Sequence, residues 1–197
     1  MSPKYSGNIL PPLDITCTST NCENGLHCFK QTKQMKIANI KGICRECGAD
    51  LVDWSRVYKR NPSDVKYTFK ALKYEMVRHH YWHVDIDQKA INHARRKGIR
   101  GMKEAAEHLV RKKLSSAVPT FDGRQTPKDG NALFYAQHAT ASCCRKCVEY
   151  WHDIQYGRPL TETEIAYLSE LLMLYVIDRL PYLKENGEYI QRSKKMH

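Results

Sequence analysis

Five residues within fifteen positions, His138, Cys143, Cys144, Cys147 and His152, carry side chains that bind a borderline-soft divalent metal. Thiolates and imidazoles at this density suit tetrahedral zinc. A second concentration lies near the start of the chain, where Cys17, Cys22, Cys28, Cys44 and Cys47 bring five thiols to a site that takes four ligands. There the Cys44-x-x-Cys47 knuckle is followed by Gly48, which relieves the turn that aims both sulfurs at one point. Cys17 and Cys22 offer a second knuckle, and Cys28 or His27 can replace either. In the later group Cys144 and Cys147 have knuckle spacing, Cys143 and Cys147 share a helical face, and His138 and His152 flank them, so a His, Cys, Cys, His site is the expected closure. Two zinc ions are expected. The first is structural, because four protein ligands leave no open position; a missing ligand at the second would leave room for an activated water.

A third group of titratable residues, His79, His80, His83, Asp85, Asp87 and His93, lies between the two. His83 with Asp87, together with His138, are the candidate acid–base residues. The HExxH pattern of zinc proteases is absent, and histidines satisfied by neighbouring carboxylates are the competing reading.

The elements that must position these groups read as mainly α, with a small zinc-ribbon-like β-hairpin at the N-terminus and an irregular metal-stabilised α domain at the C-terminus. Expected boundaries are a flexible arm over 1–16, a ribbon module over 17–54, a helical domain over 55–183 and a loose polar tail over 184–197. Ser63 is the expected N-cap of a helix whose apolar face runs through Val65, Phe69, Leu72 and Met76 and ends in His80 and His83. A helix from Asp85 or Asp87 to Gly98 and another from Gly101 to Leu114 follow; Thr161 and Glu164 form a capping box for a last helix that ends before Pro181.

Of 197 residues, 42% are hydrophobic, enough to bury a core. The formal charge of +11 is concentrated: Trp54 to Lys113 holds 16 basic against 6 acidic residues. Such a field attracts polyanions by counterion release, so DNA or RNA is the expected partner. Candidate contacts are Lys59, Arg60, Lys66, Lys70, Lys73, Arg78, Arg95, Arg96, Lys97 and Arg100, with Arg124 and Lys128 in the glycine-containing loop 122–131. An acidic protein partner in a larger assembly is the alternative. No membrane partner is expected, since no apolar run is long enough to span a bilayer. The absence of a leader and the Cys-x-x-Cys spacing suggest a reducing, cytoplasmic address.

The run Asp122-Gly-Arg-Gln-Thr-Pro127, then Ala136-Gln-His-Ala-Thr140, Cys143-Cys-Arg145, Cys147, Trp151-His152 and Gly157-Arg158 resembles a small bacterial domain family of unknown function, numbered four-one-eight-six. The resemblance covers Gly101 to Ile177 and implies a module to which residues 1–100 have been added. It brings no activity, and suggests only a bacterial or phage-defence setting. The expected function is a zinc-containing nucleic-acid-binding protein; the alternative is a metal-dependent nuclease or base-processing hydrolase. Against the alternative, the deaminase signature and an aspartate-rich two-metal set are both missing.

Overall fold

A computed structural model describes residues 15–120, 122 and 126–191. Residues 1–14 of the expected arm, Arg124 and the end of the tail lie outside them. Among the described residues there are eight α-helices: α1 (Lys33–Ile37), α2 (Trp54–Val57), α3 (Val65–Ala71), α4 (Met76–His83), α5 (Gln88–Leu114), α6 (Ala132–Ala139), α7 (Arg145–His152) and α8 (Glu162–Arg179).

Helix α8 is the axis of the core. Thr161 accepts from the Glu164 amide at 3.2 Å and the Glu164 carboxylate accepts from the Thr161 amide at 2.9 Å, the capping box read from the sequence. Arg158 clamps the same carboxylate through both terminal nitrogens. Ile165, Leu168, Leu172, Tyr175 and Val176 are buried as expected, and so are Tyr167, Leu171 and Met173, so α8 is enclosed on more than one side. Helices α3, α5 and α6 pack around it. Alanines on α5 make close approach possible, its buried stripe running Ala90, Ala94, Gly98, Met102, Ala106, Val110 and Leu114 at intervals of four.

The two helices expected over 85–114 form one kinked rod. Asp87 caps it, accepting from the Ala90 amide at 2.9 Å. At Gly98 the backbone turns to φ 64°, ψ 179°, which breaks the hydrogen-bond ladder. The residues after α8 repair that break. Lys184 and Glu185 carbonyls accept from the Ile99 and Arg100 amides, and the Glu188 amide donates to the Arg95 carbonyl. The start of the expected loose tail is therefore docked, with Glu188 also paired to Arg95 and Lys184.

The helix expected from Ser63 is also divided. Asn61, not Ser63, caps its first turn, and the chain passes through extended backbone at Glu75 before α4 begins. The cause is an insertion from the N-terminal region. The His27 amide donates to the Tyr74 carbonyl and the His27 carbonyl accepts from the Met76 amide, so His27 bridges the break.

The expected β-hairpin is not formed: no strand occurs among the described residues, only isolated bridges at Asn21–Leu26 and His27–Glu75. Short helices and turns replace it, with Thr32 capping α1 and Asp53 capping α2. With little apolar content of its own, this region borrows the helical core. Phe29 and Trp54 meet Trp151 of α7 at ring-centroid distances of 5.9 and 5.0 Å, and all but Trp54 of the three are buried.

Candidate metal centres

The first centre gathers Cys22, His27, Cys44 and Cys47, whose ligand atoms all lie within 4.8 Å of one another. Cys22 enters on a short turn closed by Gly25 at φ 71°, which returns the chain to His27. Cys44 and Cys47 come from the knuckle that Gly48 ends at φ 74°, the left-handed conformation its residue type allows without strain. The Sγ atoms of Cys22 and Cys44 are 3.8 Å apart, and Cys47 Sγ is 3.4 Å from His27 Nδ1. A tetrahedron with zinc–sulfur bonds of about 2.3 Å has an edge of about 3.8 Å, so the spacing fits a single four-coordinate ion. Burial pushes the Cys44 thiol up, but backbone N–H groups at Cys47, Cys28 and Glu46 outweigh it and bring the group down to about 6. Such N–H groups are ready to stabilise a thiolate. Burial and the neighbouring thiols of Cys47 and Cys44 push Cys22 up to about 12.

Two cysteines assigned to this centre from sequence stand elsewhere. Cys28 is fully buried, outside the group, and donates to the Cys17 carbonyl at 3.4 Å; burial raises its thiol to about 11, which keeps it protonated. Cys17 is turned toward Cys147 of the second group. His27 takes the vacated position.

The second centre contains Cys143, Cys144 and Cys147, again within 4.8 Å of one another, with Cys143 and Cys147 Sγ atoms 3.5 Å apart. Cys144 precedes the first turn of α7, so Cys143 and Cys144 approach the positive end of that helix while Cys147 rises from its first turn. Asp122 accepts from the Arg145 amide at 2.8 Å and the Thr126 hydroxyl donates to the Cys143 carbonyl at 2.8 Å, fixing the loop on both sides of the thiols. Arg145 itself is buried and donates to the carbonyls of Leu114, Gln155 and Arg158, which ties the start of α7 to the end of α5.

Beneath the thiols lies a buried ion pair that sequence reasoning missed. Arg78 is fully buried, so it is not a nucleic-acid contact. Its Nε donates to Glu75 at 2.9 Å, Nη1 to the His138 carbonyl at 2.6 Å and Nη2 to Cys147 Sγ at 3.4 Å. The Trp151 indole donates to the same Glu75 oxygen at 2.6 Å, and the other oxygen has no partner among the described residues. Burial raises the Glu75 carboxyl against the pull of Arg78. Hydrogen bonding from Cys143, Cys144 and Cys17 holds Cys147 well below the ordinary thiol range despite its burial, with Arg78 adding to the effect. The arrangement places one guanidinium where a cluster of thiolates would need countercharge.

Neither flanking histidine joins these sulfurs. His138 is buried, with Nε2 3.0 Å from the Thr126 carbonyl and its ring stacked on Tyr81 at 4.4 Å. His152 is fully enclosed, with Nε2 3.0 Å from the Thr140 carbonyl and Nδ1 3.1 Å from the Tyr167 hydroxyl. Both of its nitrogens are engaged, which leaves no lone pair for a metal. Burial lowers both imidazoles, His152 to about 4.

The other candidate acid–base residues are likewise committed. Asp87 accepts from the Gly130 amide at 2.6 Å and the Tyr135 hydroxyl at 3.0 Å besides capping α5, so both its oxygens hold structure. His83 is exposed, with Nδ1 2.7 Å from the His79 carbonyl and its ring stacked on that of His79.

Of the cationic residues, Lys59, Lys66, Lys70, Lys97, Arg100 and Lys128 are exposed and Arg96 is half-buried, and none of them forms an ion pair among the described residues. Arg60 approaches Glu164 and donates to the His152 and Asp153 carbonyls; Lys73 pairs with Asp178 over the Trp82 ring; Arg95 pairs with Glu188. No helix among the described residues is long and apolar enough to cross a membrane.

Residues 66–177 match DUF4186, a domain of unknown function, and the chain belongs to that family. The match begins well before Gly101, so nearly all of α3, α4 and the whole of α5 are part of the family domain rather than additions to it. The Glu75–Arg78 pair and the three later cysteines all fall inside it; the first metal centre falls outside. No solved structure matches the chain.

Proposed function

We propose that the chain is a two-zinc protein that binds nucleic acid through the cationic surface of α5 and the segment before it. Zinc is favoured over other metals by the sulfur-rich donor sets and by sulfur spacings near the edge of a single-ion tetrahedron, too close together for a multi-iron cluster to lie between them. The observation that carries the binding reading is the charge of α5. Its 27 residues hold nine Lys and Arg against two Glu, and of those nine only Arg95 and Arg111 have an ion-pair partner among the described residues. Fixed cations without partners supply the sequence-independent part of phosphate affinity. Binding is favoured over hydrolysis because Asp87, His138 and His152 are held in hydrogen bonds that support the fold.

The test is fluorescence anisotropy with labelled single- and double-stranded DNA and RNA across a salt series, on protein whose zinc content is measured in parallel. Affinity should fall steeply with salt, and the triple substitution Lys97→Glu, Arg100→Glu, Lys103→Glu should weaken binding by at least tenfold and flatten the salt slope, with zinc content and melting temperature unchanged. Absence of salt-sensitive binding to all four probes would refute the reading.

A further inference from the structure

Cys17 belongs by sequence to the first group of cysteines and by position to the second. Its carbonyl accepts from the buried Cys28 thiol at 3.4 Å, which fastens the exposed segment before Cys22 to a residue outside the first centre. Its sulfur interacts directly with that of Cys147, as do those of Cys143 and Cys144. The later cysteines on their own supply three sulfurs, one fewer than a closed tetrahedral site takes. Other donors nearby are otherwise occupied: His138 at the Thr126 carbonyl, His152 at both nitrogens, Cys28 in the core.

We propose that Cys17, Cys143, Cys144 and Cys147 form a four-thiolate zinc site, closed by a ligand that lies outside the family domain. Four thiolates around Zn²⁺ leave a site of net charge −2, their thiol protons passing to solvent; the buried Arg78 guanidinium, bonded to Cys147, offsets part of that charge. Sulfur separations of 3.5 Å for Cys143–Cys147 and within 4.8 Å for the three later cysteines are small enough for one ion. Four residues separate Cys17 from Cys22, so this short segment joins the two metals and fastens the N-terminal region to α7. The inference rests on the two-zinc part of the reading above and not on nucleic-acid binding.

The test uses the full chain, with zinc counted per protein after dialysis against a competing chelator and cobalt(II) substituted for its visible spectrum. The parent should hold two metals, one with a four-sulfur and one with a three-sulfur, one-nitrogen spectrum. Cys17→Ser should lose about one metal per chain and the four-sulfur spectrum only, Cys17→His should regain the metal with a nitrogen-shifted spectrum, and Cys28→Ala and His138→Ala should keep both metals. Circular dichroism checks that each variant is folded; should Cys17→Ser unfold, Cys17→His and His138→Ala still decide the ligand. Cys17→Ser with both metals held as tightly as in the parent, or loss of the second metal in His138→Ala instead, would overturn the four-thiolate assignment while leaving two zincs in place. A parent chain that holds one metal would overturn both.

Discussion

Arg78 Nη2 lies 3.4 Å from Cys147 Sγ while the same guanidinium bonds Glu75 at 2.9 Å, so one buried cation joins the thiol cluster to a buried carboxylate. Removing one member of such a set costs more than the set contributes, because its partners stay behind unpaired. Arg78→Met should therefore destabilise the fold by about 3–5 kcal/mol, read from guanidinium chloride unfolding of the metal-loaded protein. A loss under about 1 kcal/mol would show that Glu75 and Cys147 find other partners.

Stripping the metal should act unevenly along the chain. Between Cys17 and Asp53 the elements are one turn of helix or little more, and their tertiary support is chiefly the Phe29, Trp54 and Trp151 contact and the His27 bridge to Tyr74 and Met76, so ligation supplies much of their folding free energy. Chelation under reducing conditions should expose 17–53 to limited proteolysis and red-shift tryptophan emission, while most helical circular dichroism persists. Cleavage that starts instead within α5 or α8 would contradict this order.

A side chain at position 98 has nowhere to go. A Cβ there would stand 2.4 Å from the Asn186 carbonyl carbon and 2.6 Å from the Gly187 nitrogen, at a φ of +64° that L residues rarely adopt. Gly98→Ala should cost about 1–3 kcal/mol and release residues 184–188, detected as faster amide exchange at Ile99 and Arg100. Gly157→Ala, at φ +86° with open space around the added carbon, should cost only the backbone strain, about 1 kcal/mol.

His152 sets a pH dependence. Burial depresses its folded value to about 4 against an ordinary 6.5, so the unfolded chain takes up the proton first as pH falls. Its stabilising contribution is complete above pH 6.5, declines as pH falls toward 4 and is gone below that; the full range corresponds to about 3 kcal/mol. His138, His79, His80 and His93 are shifted the same way by burial and steepen the slope. His152→Gln should flatten the stability profile between pH 4 and 6.5 relative to the parent, measured by urea unfolding. An unchanged slope would mean that the imidazole is protonated in the folded state.

What could be read in the sequence was what depends on neighbours in the chain. The Thr161–Glu164 box, the buried face of α8, the break at Gly98 and the Cys44–Cys47 knuckle are local patterns with one physical solution each. What stayed hidden is produced by distant contact. His27 interrupts a helix whose apolar spacing reads as continuous, and Arg78, chemically a surface residue, is drawn inside by Glu75 and Cys147. The ligand sets did leave an arithmetical trace. Five thiols and His27 offer six donors at one end and three thiols stand at the other, a surplus of two and a deficit of one, which the proposed crossing of Cys17 would reduce while Cys28 stays in the core. The flanking His138 and His152 are near the cysteines in sequence, but folding turns their rings to carbonyls instead.

The His27 bridge bears on how the protein can be dissected. Because the extended backbone at Glu75 takes its two hydrogen-bonding neighbours from a residue far upstream, a fragment trimmed to the family boundaries would lack the wedge that holds α3 and α4 apart, along with the aromatic cover over Trp151. The packed unit is thus longer than the unit that the family match delimits, and the upstream residues form one wall of the domain rather than an appendage to it.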